Sequence, residues 1–218
     1  MRKLLQGLRV FQHRVFPKVR ARFEQLASGQ QPPTLFITCS DSRIVPDLVT
    51  QTGPGELFVL RNAGNLVPPW TAQHTGEAAT IEYAVKALKV REIVVCGHSH
   101  CGAMAGLLNP ESVEDLPAVR QWLTHARQTL EEVASLPLDG EGSDAGDDLL
   151  TTAVKCNVIV QLANLRTYPV VAEAEDRGDL ALHGWFYRFE TGEIFELDGA
   201  ERQFVSVRQQ YEDELPVV

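Results

Sequence analysis

Residues 76–98, GEAATIEYAVKALKVREIVVCGH, decide the fold. Residues 76–90 read as a helix, and they run straight into EIVVCG (92–97), a β-rich stretch of strand length. Two similar short runs lie upstream, TLFITC (34–39) and ELFVLRN (56–62). Strands alternating with helical runs predict an α/β fold: a central, mostly parallel β-sheet flanked by crossover helices. Such a sheet gathers the carboxyl ends of its strands on one edge, where ligands collect.

Downstream, residues 116–136 and 149–168 supply two more helical runs, separated by PLDGEGSDAGDD (137–148), an acidic, glycine-rich loop. LALHGWFYRFETGEIFELDG (180–199) reads as two strands joined by a turn at Thr191 and Gly192, and YEDELPVV (211–218) as a loose tail. Upstream, Leu4, Leu5, Leu8, Phe11, Val15 and Phe16 recur at helical spacing, and Pro17 is placed to start a second helix through Phe23 and Leu26. This arm precedes every strand. Its apolar stripe must cover either the core or the surface of a neighbouring subunit, and the neighbour is favoured. One domain is expected over 1–218, with a helical arm (1–30), an α/β core (31–200) and a C-terminal tail (201–218).

The 218 residues are 44% hydrophobic, enough for one substantial core. A net charge of -9 argues against a surface that tracks nucleic-acid phosphates and suits a small, freely diffusing substrate. No run of eighteen apolar residues suggests a membrane span, so a soluble, cytoplasmic protein is expected. Arg2, Lys3, Arg9, Arg14, Lys18, Arg20 and Arg22 make the N-terminal segment basic, which reads first as a solvated helix face. Four cysteines are too few for a disulfide scaffold, which leaves metal, catalysis or burial.

Cys39 ends the strand TLFITC and opens CSDSR (39–43). If the chain stays extended there, Cys39, Asp41 and Arg43 project to one side, where Asp41 and Arg43 can form a charge-assisted pair. His98 and Cys101 form an H-x-x-C turn after the strand EIVVC, with Gly97 and Gly102 relaxing the backbone around it. Spacing alone leaves a buried cysteine and a turn histidine as the competing reading. Two strand ends of one parallel sheet can nevertheless pool Cys39, His98 and Cys101, a soft sulfur, sulfur, nitrogen set suited to zinc. Three protein ligands and one open position make a catalytic site, and Asp41 is the acid placed to fill or guard that position. Cys96 and Cys156 read as buried small hydrophobes, and His100 as facing solvent or a backbone carbonyl. Dithiol chemistry between Cys96 and Cys101 is disfavoured because their spacing is not C-x-x-C.

CSDSR, RNAGNLVPP (61–69), GEAATIEYAV (76–85) and CGHSHCG (96–102) together resemble the β-class carbonic anhydrases, a likeness running from about residue 4 to the HGWFYRFETG segment. The resemblance implies a Zn2+ cofactor on Cys39, His98 and Cys101, and an Asp41–Arg43 dyad beside the fourth position. It also implies reversible hydration of CO2 to bicarbonate and a proton by a zinc-activated hydroxide, and a homodimer or a larger assembly of dimers whose N-terminal helices embrace the neighbour. A substrate pocket is implied around Gly53, His74, Tyr83 and Gly102. Gly53 stands where plant-like members carry Gln, and His74 where an aromatic wall residue is usual. Phe36 replaces the Trp of the bicarbonate-inhibited branch while Arg61 and Tyr187 remain, so a bicarbonate switch is not expected. GHSHCGAM with LHGWFYRFETGEIF looks most like the carboxysomal members of cyanobacteria, implying a carboxysomal location and a scaffold protein as partner. The competing functions are hydrolysis of CS2 or COS on the same fold and a non-catalytic, zinc-stabilised scaffold-binding module.

Overall fold

Six strands align in one sheet in the order β2-β1-β3-β4-β5-β6. They are β1 (Thr34–Cys39), β2 (Leu57–Asn62), β3 (Glu92–His98), β4 (Ala181–Arg188), β5 (Glu193–Asp198) and β6 (Gln203–Ser206). The first four run parallel, while β5 and β6 are antiparallel additions at one edge. The computed structural model describes residues 1–71, 75–136 and 147–212.

β1 and β3 are covered on both faces, and their sequences are accordingly near-continuous apolar runs. β4 alternates instead: Phe186 enters the main core and the bare face of Gly184 lies against Val158 and Leu162, whereas Trp185 and Tyr187 face the other side.

The helices are α1 (Arg2–Val10), α2 (Phe16–Leu26), α3 (Pro46–Thr50), α4 (Gly76–Glu82) and α5 (Gly102–Leu108), followed by α6 (Pro117–Leu123), α7 (Arg127–Ser135), α8 (Leu149–Arg166), α9 (Pro169–Asp176) and α10 (Val207–Tyr211). α8 is the central one. Asp148 caps it by accepting from the Thr151 N–H at 2.7 Å, and its Val154, Val158, Leu162 and Leu165 pack in one core cluster with Leu35, Ile37, Ile93, Val95 and Phe186 of the sheet. The approach of α8 to β3 is close enough to need glycine, since a Cβ on Gly97 would lie 2.7 Å from Val154. The opposite face of the sheet carries a smaller cluster, Phe36, Ile44, Val94 and Cys96, flanked by the partly exposed Leu57, Trp185 and Tyr187.

The single helix expected over 116–136 is two helices joined by a 3-10 turn at Thr124–Ala126. The break buries Ala126 and sets Thr129 against Asn157 of α8, a tertiary gain that side-chain periodicity does not register. The expected tail from 201 is also revised, because residues 203–206 complete the sheet and 207–211 form α10. Phe204, 7% exposed, enters the main core, and Asp198 closes the preceding turn by accepting from the Ala200 N–H at 2.8 Å. The acidic loop lies mostly outside the described residues, as do His74 and residues 213–218.

α1, a π-helical turn at Phe11–Val15, and α2 follow one another without a buried residue; Leu4 is 68% and Leu8 58% exposed. The arm is tethered near its end, where Arg22 Nε donates to the Pro54 carbonyl at 3.1 Å. No helix among the described residues is long and apolar enough to cross a membrane.

Candidate metal centre

Cys39 ends β1 and His98 ends the neighbouring β3, so the parallel register brings both to the carboxyl edge of the sheet. The chain then turns through His100, whose φ of 53° is left-handed, and delivers Cys101 at the start of α5. One ligand atom from each of Cys39, His98 and Cys101 lies within 4.8 Å of the other two, and all three residues are buried.

The imidazole of His98 is set for ligation. Nδ1 lies 2.8 Å from the Ser99 carbonyl, which can only accept, so Nδ1 carries the hydrogen and Nε2 keeps its lone pair. Nε2 is buried and has no hydrogen-bond partner. An orphaned buried nitrogen beside two sulfurs fits a soft divalent cation, and zinc above all. The sulfurs agree. Cys39 is the more acidic of the pair, drawn down to about 4 chiefly by a hydrogen bond from Cys101, with the Gly64 N–H helping against burial. Cys101 is pushed up by the same shared bond. A divalent cation bound there would displace the proton from both sulfurs.

Asp41 stands beside this cluster and outside it. Its Oδ1 accepts from the backbone N–H and Nε of Arg43, each at 2.9 Å, and its Oδ2 from a terminal guanidinium nitrogen at 2.7 Å. That bidentate pair holds the carboxyl well below the usual carboxylate range. The same guanidinium donates to the His100 carbonyl at 3.0 Å and lies over the Phe189 ring, 4.5 Å from its centroid. Asp41 Oδ2 remains 3.9 Å from His98 Nε2, adjacent to the ligand cluster.

Sequence reasoning missed the supports of the site. Arg61, on β2, spends its guanidinium on the carbonyls of Cys39 (3.0 Å), Asp41 (2.7 Å) and Ile44 (3.0 Å), so it clamps the CSDSR loop. The loop after β2 is fastened by buried amides of α8. Gln161 Oε1 accepts from the Val67 N–H at 2.7 Å, while Asn164 and Asn157 donate to the carbonyls of Val67 (2.9 Å) and Gly64 (3.0 Å). Asn157, Gln161 and Asn164 fall at i, i+4 and i+7, a polar stripe inside an apolar helix, and that stripe was the available signal.

The other singled-out residues fall as follows. Cys96 and Cys156 are buried, with thiols pushed up by desolvation, Cys156 to about 11. His100 is mostly exposed, 3.5 Å from Glu190. Gly53 donates its N–H to the Glu56 carboxylate, Tyr83 is half-exposed with its ring 6.1 Å from that of Phe58, and Gly102 opens α5. Phe36 meets Trp185 edge-on, with ring centroids 6.0 Å apart.

A mostly parallel sheet that presents two cysteine sulfurs and an imidazole at its carboxyl edge, with an arginine-held carboxylate alongside, defines a zinc metalloprotein of the α/β class. The sequence model described as "Carbonic anhydrase" matches residues 34–194. A carbonic anhydrase of Synechocystis sp. is 49% identical over 207 residues, covering 94% of this chain and 74% of its own. One of Pseudomonas aeruginosa is 48% identical over 210 residues, covering 96% and 93%. The solved structure of the β-carbonic anhydrase CcaA superposes with a TM-score of 0.86 at 49% identity, covering 94% of this chain and 98% of that one. The protein belongs to the carbonic anhydrase family, in its β class. Zinc is the metal that the donor set fits and the family uses.

Proposed function

We propose that this protein catalyses the reversible hydration of carbon dioxide to bicarbonate and a proton, with Cys39, His98 and Cys101 as zinc ligands and Asp41 and Arg43 as the working dyad. The observation that carries this reading is the bidentate Asp41–Arg43 pair, which keeps a carboxylate beside a three-ligand cluster without entering it. Zinc bound there supplies the Lewis acidity that lets water ionise near neutral pH.

Asp41, anionic and fixed in direction, accepts a hydrogen bond from the attacking water and so orients its lone pair. Arg43 holds Asp41 in that charge state and away from the ligands. The Ser99 carbonyl keeps the hydrogen of His98 on Nδ1, leaving Nε2 to ligate. Arg43 is 46% exposed and Asp41 17%, so solvent and buffer reach the dyad and carry the released proton away. Gly53, His74, Tyr83 and Gly102 are the residues we assign to the substrate pocket.

Stopped-flow CO2 hydration by protein carrying one zinc per chain tests the reading. The expected result is catalysis that falls to the buffer rate on Asp41→Ala; zinc-loaded parent protein no faster than buffer would reject it.

The arm is assigned to a second copy of the chain. In support, Leu4, Leu5, Leu8, Phe11 and Val15 are all exposed, as are Val45, Leu48 and Val59 of the core. A tetrameric β-carbonic anhydrase of Sordaria macrospora, 32% identical with a TM-score of 0.69, is a relevant likeness. We also propose a carboxysomal location with a scaffold protein as partner, a reading that the likeness to two cyanobacterial carbonic anhydrases supports. Sedimentation of the tagged chain with carboxysomes is the check.

A further inference from the structure

The loop after β2 carries one N–H into the metal centre, and side chains behind the loop fix the peptide that bears it. Gly64 N lies 3.4 Å from Cys39 Sγ. The carbonyl of the same peptide unit, that of Ala63, accepts from the indole Nε1 of Trp122 at 2.8 Å. The next carbonyl, that of Gly64, accepts from Asn157, which is itself buried and held by Thr129 Oγ1 at 3.2 Å and Gln161 Nε2 at 2.9 Å. Gly64 has a φ of 82°, and a Cβ there would lie 2.9 Å from that of Ala103. Only glycine lets the backbone come this near to α5 in that conformation.

The result is a continuous hydrogen-bonded chain: indole N–H to Ala63 carbonyl, then through the amide to Gly64 N–H and Cys39 sulfur. An amide whose oxygen accepts a hydrogen bond is polarised and donates more strongly through its N–H. A donor on a thiolate draws charge from the sulfur, so the sulfur gives less to its metal and leaves the metal a stronger Lewis acid.

We propose that Trp122 is a positioning residue of the metal centre, acting through the Ala63–Gly64 peptide to hold and strengthen the hydrogen bond on Cys39. The proposal rests on the zinc reading of the Cys39, His98 and Cys101 cluster. It assigns a role in tuning to a side chain on α6 that the ligand set itself does not include.

Trp122→Phe keeps an aromatic ring and removes the N–H. Two readouts are needed: the sulfur-to-cobalt charge-transfer band of protein loaded with Co2+ in place of zinc, and the pH dependence of CO2 hydration by the zinc form. In Trp122→Phe the band moves to longer wavelength, the midpoint of the pH profile moves up, and the neutral-pH rate falls by less than the roughly tenfold cost of losing a whole outer-shell partner. Tyr168→Phe is the control, because it removes a buried hydrogen bond to the same loop, at the Pro68 carbonyl (2.7 Å), while leaving the Gly64 peptide held. It lowers the melting temperature and moves neither readout.

A folded, fully loaded Trp122→Phe protein with the parent band and midpoint overturns the proposal, as does an equal band shift in Tyr168→Phe. If Trp122→Phe does not fold, Trp122→Met, which also lacks the N–H and packs adaptably, is judged by the same criteria. Parent protein that takes up cobalt without a charge-transfer band refutes thiolate ligation itself, a failure distinct from that of Trp122.

Discussion

Cys39 and Cys96 lie on neighbouring strands, both almost wholly buried, yet they are chemically opposite. Cys96 sits inside β3 among Phe36, Ile44 and Val94, and desolvation alone drives its thiol far from ionisation. Cys39 sits at a strand end, where Cys101 and the Gly64 N–H converge on its sulfur and draw it down to about 4. Burial by itself makes a thiol inert. Burial with donors aimed at the sulfur makes it a ligand.

The contrast is broken most severely at the strand ends. Cys39→Ala is expected to abolish stoichiometric zinc, read by metal analysis, and to bring CO2 hydration down to the buffer rate. Next comes Arg43→Ala, which leaves the ligands in place but frees Asp41. Zinc content should stay at one per chain while kcat/KM falls by about 10- to 100-fold, as for other outer-shell losses.

The pH dependence of this pair has a definite sign. Asp41 is depressed in the folded protein, so its contribution to stability is fully present above the unfolded carboxylate value of about 3.9 and is lost as pH falls through the lower folded value. Denaturation midpoints of the parent and of Asp41→Asn should therefore differ by a constant amount between about pH 6 and pH 9 and converge only in acid. A smaller perturbation of the centre is removal of residues 1–15. This should shift the oligomer toward monomer in light scattering while one zinc per chain is kept. The mildest is Cys96→Ala, expected to cost about 1 kcal/mol of stability and leave zinc content and hydration rate unchanged.

The sheet was legible because β1 and β3 are short apolar runs of a kind that strands buried on both faces carry, and the candidate ligand set because both runs end in residues of metal-ligating type. Other features left weaker traces. Four residues, 203–206, are too few to show alternation, so β6 hid in an apparent tail. The break between α6 and α7 keeps the apolar spacing, so it passes for one helix. Arg61 enters the sequence reading only through the family resemblance, and its clamping role depends on the Asp41 and Ile44 carbonyls curling back over β2, a tertiary fact. Neither Gly53 nor Tyr83 carries a chemistry of its own, so their assignment came from family resemblance alone.

The stripe of carboxamides along α8 has one more consequence. It secures the loop over the metal centre with direct hydrogen bonds to protein, each worth about 1 kcal/mol, so the cradle does not depend on the ion for its shape. Small zinc domains that collapse when stripped behave differently. This chain should give up its ion to a chelator and take it back without unfolding, which makes zinc supply a reversible control over how much of a standing pool of protein is active.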